Sequence, residues 1–234
     1  MSKYKKVLLK LSGEALAGGN PKGFCEETVL EVGRQVKELV NRGVEVGVVI
    51  GGGNFWRGRS SESMDRTKAD QIGMLATVMN CLFTAEMFRT IGITTKVMTP
   101  FAIGPMTTIF TKDECMDRQA KGEVVFFAGG TGHPYFSTDT AAALRAIETE
   151  CDVILLAKNI DGVYDSDPNI NKDAVKFDKI SLKEVIDKDL KVMDLTAAIM
   201  CLEQKVAMSV FYLNDENSII NALEDKANGT LVYV

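Results

Sequence analysis

Two apolar segments that each end in a turn of small residues constrain the fold of this chain most. The first, Lys5–Leu11, carries a lysine next to its end, Lys10, and continues into Ser12-Gly13. The second, Val44–Ile50, ends in Gly51-Gly52-Gly53. Continuous apolar runs of this length are typical of strands buried on both faces, as in a parallel sheet. Small residues at the strand ends let backbone N–H groups approach phosphate oxygens, so the pattern predicts an anion site with Lys10 as a cation beside it.

The rest of the chain alternates helix-like and strand-like segments. Apolar residues with helical spacing predict helices at residues 26–42, 68–90, 113–120, 138–149, 196–204 and 218–224. Short apolar runs predict further strands at residues 94–98, 124–128, 153–157, 208–213 and 231–234. Thr138 or Asp139 is the predicted N-cap of its helix, and Ser181 to Glu184 reads as a capping box. This order predicts an α/β fold in which a mostly parallel central sheet is covered by helices on both faces, with ligands at the carboxyl ends of the strands.

Composition narrows the function classes. Of the 234 residues, 46% are apolar, which is ample for one large domain or two closely joined lobes. The net charge of −5, without a basic stripe, argues against a nucleic-acid partner. No apolar run is long enough for a membrane span, and the basic start is not followed by a signal-peptide core, so we expect a cytoplasmic protein without membrane contact.

Cysteine and histidine usage argues against several kinds of site. The five cysteines are scattered, and no C-x-x-C occurs, so reduced buried thiols are favoured over disulfides or zinc. His133 is the only histidine, which excludes a site with several histidine ligands and leaves a single candidate for a Ser-His-Asp triad. Its loop reads better as a ligand contact.

The phosphate site predicted at the strand ends is not a common nucleotide loop. The pattern G-x-x-x-x-G-K-[ST] occurs nowhere in the chain, so the usual P-loop kinase fold is not expected. The triple glycine is also no G-x-G-x-x-G fingerprint, because Trp56 stands where the third glycine belongs.

Five segments, in order, resemble the bacterial uridylate kinases of the amino acid kinase family. They are Lys10 to Leu16 (KLSGEAL), Gly51 to Gly58 (GGGNFWRG), Asp70 to Thr77 (DQIGMLAT), Thr131 to Asp139 (TGHPYFSTD) and Asp161 to Tyr164 (DGVY). The resemblance runs from about Lys5 to Val234, and the third and fourth segments distinguish these kinases from relatives that phosphorylate carboxylates or carbamate. It implies a three-layer sandwich in a single domain, residues 1–234. Within it, residues 1–150 would form a UMP-binding and oligomerising lobe and residues 151–234 an ATP-binding lobe.

The resemblance also implies substrates and site residues. The implied reaction is transfer of the ATP γ-phosphoryl group to UMP, in pyrimidine nucleotide biosynthesis. Residues implied to contact ATP are Lys10, Leu11, Ser12, Gly13, Gly53, Arg57, Asn159, Tyr164 and Asp167. At Asn159 the alternative contact is Lys158, because this segment is a residue shorter than in many relatives. Residues implied to contact UMP are Gly52, Asp70, Thr131, Gly132, His133, Pro134, Tyr135, Phe136, Ser137 and Thr138.

Four residues are implied to take part in catalysis: Lys10, Arg57, Asp139 and Asp194. Lys10 would stabilise charge on the transferring group. Asp139 would orient Lys10 rather than act as a base, because the acceptor phosphate has a second pKa of about 6 and is already an anion at neutral pH. An N-cap role explains Asp194 equally well. Asp70 has a similar alternative, because acidic residues near the start of a helix are common for dipole reasons alone.

Further expectations concern cofactor, effectors and assembly. The resemblance implies Mg²⁺ carried with ATP and no metal bound by the protein alone, UTP and GTP as effectors, and a homohexamer. Residues 68–90 are apolar around more of the helix than one core-facing stripe needs, which predicts subunit contacts along that helix.

Two other functions remain open from the sequence. One is a relative that makes an acyl phosphate, against which residues 131–138 and Asp70 argue. The other is a nucleotide-binding regulator without turnover, against which Lys10 and Asp139 argue.

Overall fold

The computed structural model describes residues 3–20, 22–56 and 64–234. In these ranges the strands are β1 (Lys6–Leu11), β2 (Glu45–Ile50), β3 (Thr95–Thr99), β4 (Thr108–Ile109), β5 (Val124–Phe127), β6 (Val153–Lys158), β7 (Val163–Tyr164), β8 (Lys176–Phe177), β9 (Lys179–Ser181), β10 (Ala207–Tyr212) and β11 (Thr230–Tyr233). The helices are α1 (Gly13–Leu16), α2 (Glu26–Asn41), α3 (Arg66–Thr90), α4 (Lys112–Ala120), α5 (Thr138–Glu148), α6 (Leu182–Asp187), α7 (Leu195–Gln204) and α8 (Ser218–Leu223).

Nine of the strands form one sheet in the order β4-β3-β5-β2-β1-β6-β10-β11-β9. Every neighbouring pair is parallel except β10 and β11, and β7 pairs with β8 in a separate antiparallel ribbon. Strand β1 lies at the point where the chain changes direction across the sheet, with strands β2 to β5 on one side and β6, β9, β10 and β11 on the other. Ligands of open α/β sheets bind at the carboxyl ends of strands at such a point.

The two faces of the sheet carry separate apolar cores because side chains alternate along each strand. Val7, Leu9 and Leu11 of β1 pack on the face that α2, α3 and α8 cover. Leu8 packs on the other face, against α4, α5, α6 and α7. The predicted α/β fold with a mostly parallel sheet between two helical layers is confirmed. Lys10 shares a face with Leu8, so its side chain points toward the α5 layer.

Several boundaries differ from those predicted. The N-cap of α5 is Ser137, whose hydroxyl accepts hydrogen bonds from the amides of Asp139 and Thr140, so the predicted cap at Thr138 or Asp139 is wrong by one residue or two. Helix α3 begins at Arg66 behind the N-cap Asp65, so Asp70 lies one turn inside the helix instead of at its start. The capping box at Ser181 is confirmed.

Two expectations from composition can be compared with the structure. All five cysteines lie in the described ranges and are free, and all except Cys25 are buried. Burial raises the pKa of the Cys81, Cys115 and Cys201 thiols to about 12, which keeps them protonated and unreactive. Among the residues described, no helix is both long and apolar enough to cross a bilayer.

Candidate active site

Four charged side chains meet at the carboxyl ends of β1 and β6. Lys10 Nζ lies 2.6 Å from Asp139 Oδ1, and both side chains are largely buried. Register pairs Lys10 with Leu156 of β6, which places Lys158 at the end of the neighbouring strand. Burial lowers the pKa of Lys158; Asp139 and Asp194 act against this lowering and Lys10 adds to it. Two cations thus lie side by side at one sheet edge, with two carboxylates close enough to affect them.

Asp194 joins the starts of helices α5 and α7. Its carboxylate caps α7 by accepting a hydrogen bond from the Ala197 amide at 3.0 Å. It also accepts from Thr140 Oγ1 at 3.0 Å and from the hydroxyl of Ser137. The Ser137 hydroxyl in turn accepts the first amides of α5. The N-cap reading of Asp194 is confirmed, and the same bonds fix the helix turn that carries Asp139.

The two small-residue turns lie against each other. Gly51 donates its backbone N–H to the Leu11 carbonyl at 2.9 Å. Behind them, Asn54 and Asn80 exchange side-chain hydrogen bonds of 2.7 and 3.0 Å, and the Asn80 amide also donates to the Gly51 carbonyl at 2.6 Å. Asn80 is fully buried on α3, so the long helix holds the triple-glycine turn in place.

Gly13 lies where the two turns contact each other, and there is no space for a side chain at this position. A Cβ atom there would lie 2.3 Å from Asn54 Oδ1 and 2.4 Å from the Gly51 carbonyl oxygen. We expect Gly13→Ala to lower the free energy of unfolding by about 1–3 kcal/mol, the usual cost of overpacking, because backbone must move to admit the methyl group. Urea unfolding would measure it. Gly19→Ala is the control, since nothing lies within 4 Å of its Cβ position; equal stability of the two variants would contradict the packing argument.

A first cavity, of about 220 Å³, opens between the triple-glycine turn, α3 and the loop before α5. Its wall includes Gly52, Gly53, Asp70, Thr131, His133, Phe136, Ser137 and Thr138. Asp70 Oδ2 accepts hydrogen bonds of 2.8 Å from Arg66 Nε and from the Tyr135 backbone N–H. The cavity is small, half polar in character, and has a carboxylate in its wall, as suits a hydroxyl-bearing ligand.

The loop before α5 is held on one side by Thr77. The Thr77 hydroxyl accepts the Gly129 N–H at 2.9 Å and donates to the Met74 carbonyl at 2.7 Å, so the loop is attached to α3. Gly129 and Gly132 have φ of 78° and 85°, a conformation that favours glycine. A Cβ at Gly132 would also lie 3.0 Å from Pro100. These constraints fix the backbone that lines the cavity.

A second cavity, of about 430 Å³, lies at the ends of β6 and β10. Its wall includes Lys158, Asn159, Tyr164 and Asp167. The Tyr164 hydroxyl donates to Asp161 at 2.7 Å, and Lys176 Nζ lies 2.9 Å from the same carboxylate. Burial acts to raise the pKa of Asp161, but these two hydrogen bonds outweigh it and the pKa is lowered. Asp161 therefore stays an anion and holds the Tyr164 ring beside the cavity.

Several residues predicted to bind ligands are buried, are hydrogen-bonded within their own turn, or lie outside the cavity wall. The Leu11 side chain is fully buried in the core, which leaves only its backbone for a ligand. Asp167 Oδ1 accepts from the backbone and side chain of Asn169, so it is engaged in its own turn. Gly132, Pro134 and Tyr135 lie outside the cavity wall, and Tyr135 contributes a backbone bond to Asp70 instead. Arg57 lies outside the described residues.

Comparison with known proteins shows the family of this chain. The model of the amino acid kinase family matches residues 5–212. The chain belongs to the amino acid kinase family. A solved UMP kinase from Bacillus anthracis is 32% identical, with a TM-score of 0.94 over 98% of this chain and 96% of that one. A UMP kinase from Ureaplasma parvum is 34% identical, with a TM-score of 0.94 over 99% of this chain and all of that one. The resemblance inferred from the motifs is confirmed.

Several residues of the candidate site are not predicted from the sequence. Arg66 lines the first cavity, and its spacing of four from Asp70 on a helix was the signal that could have found it. Asn54, Thr77 and Asn80 hold the turns in place, and none of them has a predicted role, although Asn54 and Thr77 lie inside the motif segments. They become visible only when the fold brings α3 against the strand ends.

Proposed function

We propose that this chain is a UMP kinase that transfers the γ-phosphoryl group of ATP to UMP, giving ADP and UDP. One observation carries the proposal most: two cavities open beside a pair of neighbouring cations, Lys10 and Lys158. Thr138, next to the ion-paired Asp139, lines the first cavity, and Lys158 lines the second. Lys10 lies between them, ion-paired with Asp139. Two anionic ligands, one in each cavity, would direct their phosphates at the same lysines. The likeness to two solved UMP kinases supports the same reaction.

In the proposed reaction, a phosphate oxygen of UMP attacks the γ-phosphorus of ATP in line with the bond to the leaving group. The new P–O bond forms as the bond between the γ-phosphorus and the β,γ-bridging oxygen breaks, and ADP leaves with the electron pair. No base is needed, because the second pKa of a phosphate monoester is about 6. The protein's part is therefore to position two anions and to offset their repulsion.

Lys10 and Lys158 supply the positive charge that offsets the repulsion between the two substrates. Lys10 is buried and Lys158 is partly buried, so their attraction to phosphoryl oxygens is less screened than in water. Lys158 and Asn159 both line the second cavity, and only Lys158 carries a charge, which favours Lys158 as the phosphate contact. Asp139 orients Lys10, and Asp194 orients Asp139 through Ser137. Arg57 is proposed as a further phosphate contact on the resemblance alone.

Magnesium is proposed to enter as part of the substrate MgATP. In the described ranges, no group of three or more acidic, histidine or cysteine side chains could hold a metal ion. Asp194 has its oxygens engaged by two hydroxyls and an amide. Mg²⁺ commonly uses substrate phosphates and water as most of its ligands, which fits this site.

The two cavities suggest which substrate binds where. The Asp70 carboxylate suits a ribose hydroxyl, and the loop at residues 131–138 suits a base and an anion, so we assign UMP to the first cavity. We assign ATP to the second, with the Tyr164 ring beside adenine and the turn at Ser12-Gly13 toward its phosphates. Gly53 lines the first cavity, so its contact with ATP would lie where the phosphates of the two substrates meet. Residues 1–150 would then carry mainly the UMP side and residues 151–234 the ATP side.

An assay of ADP release with a panel of acceptors tests the function. Activity with UMP well above that with CMP, GMP, N-acetylglutamate, aspartate or carbamate is expected. A higher rate with a carboxylate or carbamate would assign the chain to another reaction within its family. ADP release with no acceptor would point to a nucleotide hydrolase.

Assembly into a homohexamer through α3 is a further proposal. Ile72, Leu75 and Met79 are 38%, 52% and 49% exposed and lie along one face of the helix. We expect light scattering to give an oligomer mass and Leu75→Lys to lower it. Ile170→Lys is the control, because Ile170 is 84% exposed in a loop far from α3 in sequence. A monomer mass for the unaltered chain would contradict the interface.

Regulation by UTP and GTP is proposed on the resemblance. Because Asp70, Thr77 and Asn80 all lie on α3, a change of packing along that helix would reach both turns of the site.

A further inference from the structure

We propose that Arg66 is a positioning residue for UMP, which acts by holding the Asp70 carboxylate in one orientation. The inference rests on the proposed function and extends it to a residue that no motif assigns. Arg66 lines the first cavity together with Asp70. Its Nε lies 2.8 Å from Asp70 Oδ2, and its guanidinium stacks over the Tyr135 ring at 5.2 Å.

The two oxygens of Asp70 have different surroundings. Oδ2 accepts from Arg66 and from the Tyr135 backbone, so one oxygen is engaged on both sides. No residue within the described ranges donates to Oδ1. With Oδ2 fixed, the carboxylate cannot rotate freely, and Oδ1 is the oxygen left for a ligand hydroxyl. The side chain of Asp70 is 15% exposed, enough for contact but not for full solvation.

Arg66 also joins two parts of the cavity wall that are far apart in sequence. Through Asp70 and the Tyr135 ring it connects the start of α3 to the loop at residues 131–138. Tyr135 has a φ of 71° and is 65% exposed, so little other packing holds this part of the loop. The same contacts therefore orient the carboxylate and hold the loop over the ligand.

Charge gives Arg66 a second effect on the same ligand. UMP carries close to two negative charges at neutral pH, and Asp70 adds another in the cavity wall. The guanidinium next to Asp70 offsets that charge where the ligand binds. Loss of Arg66 would leave the Asp70 carboxylate held by the Tyr135 N–H alone, with no cation to offset its charge.

Substitution of Arg66 by methionine, which keeps much of the apolar stem, tests the inference. We expect KM for UMP to rise about tenfold to hundredfold, the range for losing a hydrogen bond to a charged group. KM for ATP should stay within about twofold, because the second cavity is untouched. Arg66→Lys should recover part of the UMP affinity. Arg34→Met is the matched control, since Arg34 makes a comparable helical ion pair with Glu31 away from either cavity.

A variant that combines Arg66→Met with Asp70→Asn separates a positioning role from a general structural effect. If Arg66 acts through Asp70, then adding Arg66→Met to Asp70→Asn should raise KM for UMP by less than threefold. Full additivity, an equal rise in KM for ATP, or an unchanged KM for UMP in Arg66→Met would each overturn the inference. Melting temperatures of all variants identify any that fail to fold, and Arg66→Lys then carries the test. Absence of UMP phosphorylation by the unaltered chain would overturn the proposed function itself, which distinguishes the two failures.

Discussion

Replacement of Lys10 by alanine is expected to lower kcat about 10²–10³-fold, the usual cost of removing one donor that stabilises charge in a transition state. KM for UMP should change little in comparison, because Lys10 lies between the two cavities and in the wall of neither. Its ammonium, 2.6 Å from Asp139, is the cation placed to meet the transferring group. Steady-state kinetics with both substrates varied would give the two constants separately.

Lys6→Ala provides the matched control for this experiment. Lys6 lies on the same strand and also forms a 2.8 Å ion pair, with Glu45, but at the opposite end of the strand. It should retain most of the kcat. A Lys10→Ala variant that keeps a third of the original turnover would remove Lys10 from its assigned role.

UMP is expected to be preferred over CMP by a factor in kcat/KM that can reach about 10⁴. Uracil offers an N3–H donor and an O4 acceptor, and cytosine reverses both. A site built to hydrogen-bond one pattern leaves buried polar groups unpaired with the other. The loop at residues 131–138 carries the polar groups for this reading and is fixed by Thr77 and by glycines in left-handed conformations.

Competition assays with both acceptors in one reaction give this ratio directly. Thr131→Val, which removes a hydroxyl in the cavity wall, should reduce the preference; Thr111→Val, at the start of α4, is the control. Comparable kcat/KM for UMP and CMP in the unaltered chain would contradict base reading by this loop.

The strands and long helices of this fold could be predicted because their apolar patterns are strong. Strand β1 follows from a continuous apolar run buried on both faces, and helix α2 from buried side chains with a helical period; each prediction lies within one residue of the structure. The short elements α1, β4, β7, β8 and β9 were missed. Each has four residues or fewer, which is too short for a period to show, and the four strands among them also depend on pairing with other strands.

The residues of the candidate site also fall into two groups: those that a local sequence pattern predicts and those that only the fold brings together. Lys10 and the two turns were found because a charge or several glycines at the end of a buried strand break a regular pattern. Asp139 was singled out through the resemblance, and the structure brings it to Lys10 from a helix distant in sequence. The cap of α5 is mispredicted because Ser137, Thr138 and Asp139 are all good capping residues, and only the folded backbone shows that the Ser137 hydroxyl accepts the first amides of the helix. The Asn54–Asn80 pair depends on contacts between α3 and the strand ends that no local pattern encodes.

Direct identification of the products tests the central claim most sharply. The chain would be incubated with MgATP and UMP, and the phosphorus NMR spectrum followed over time. The proposed reaction predicts that the diphosphate signals of UDP and ADP grow in equal amounts while UMP and ATP decline together. ADP accompanied by inorganic phosphate, with UMP unchanged, would contradict it.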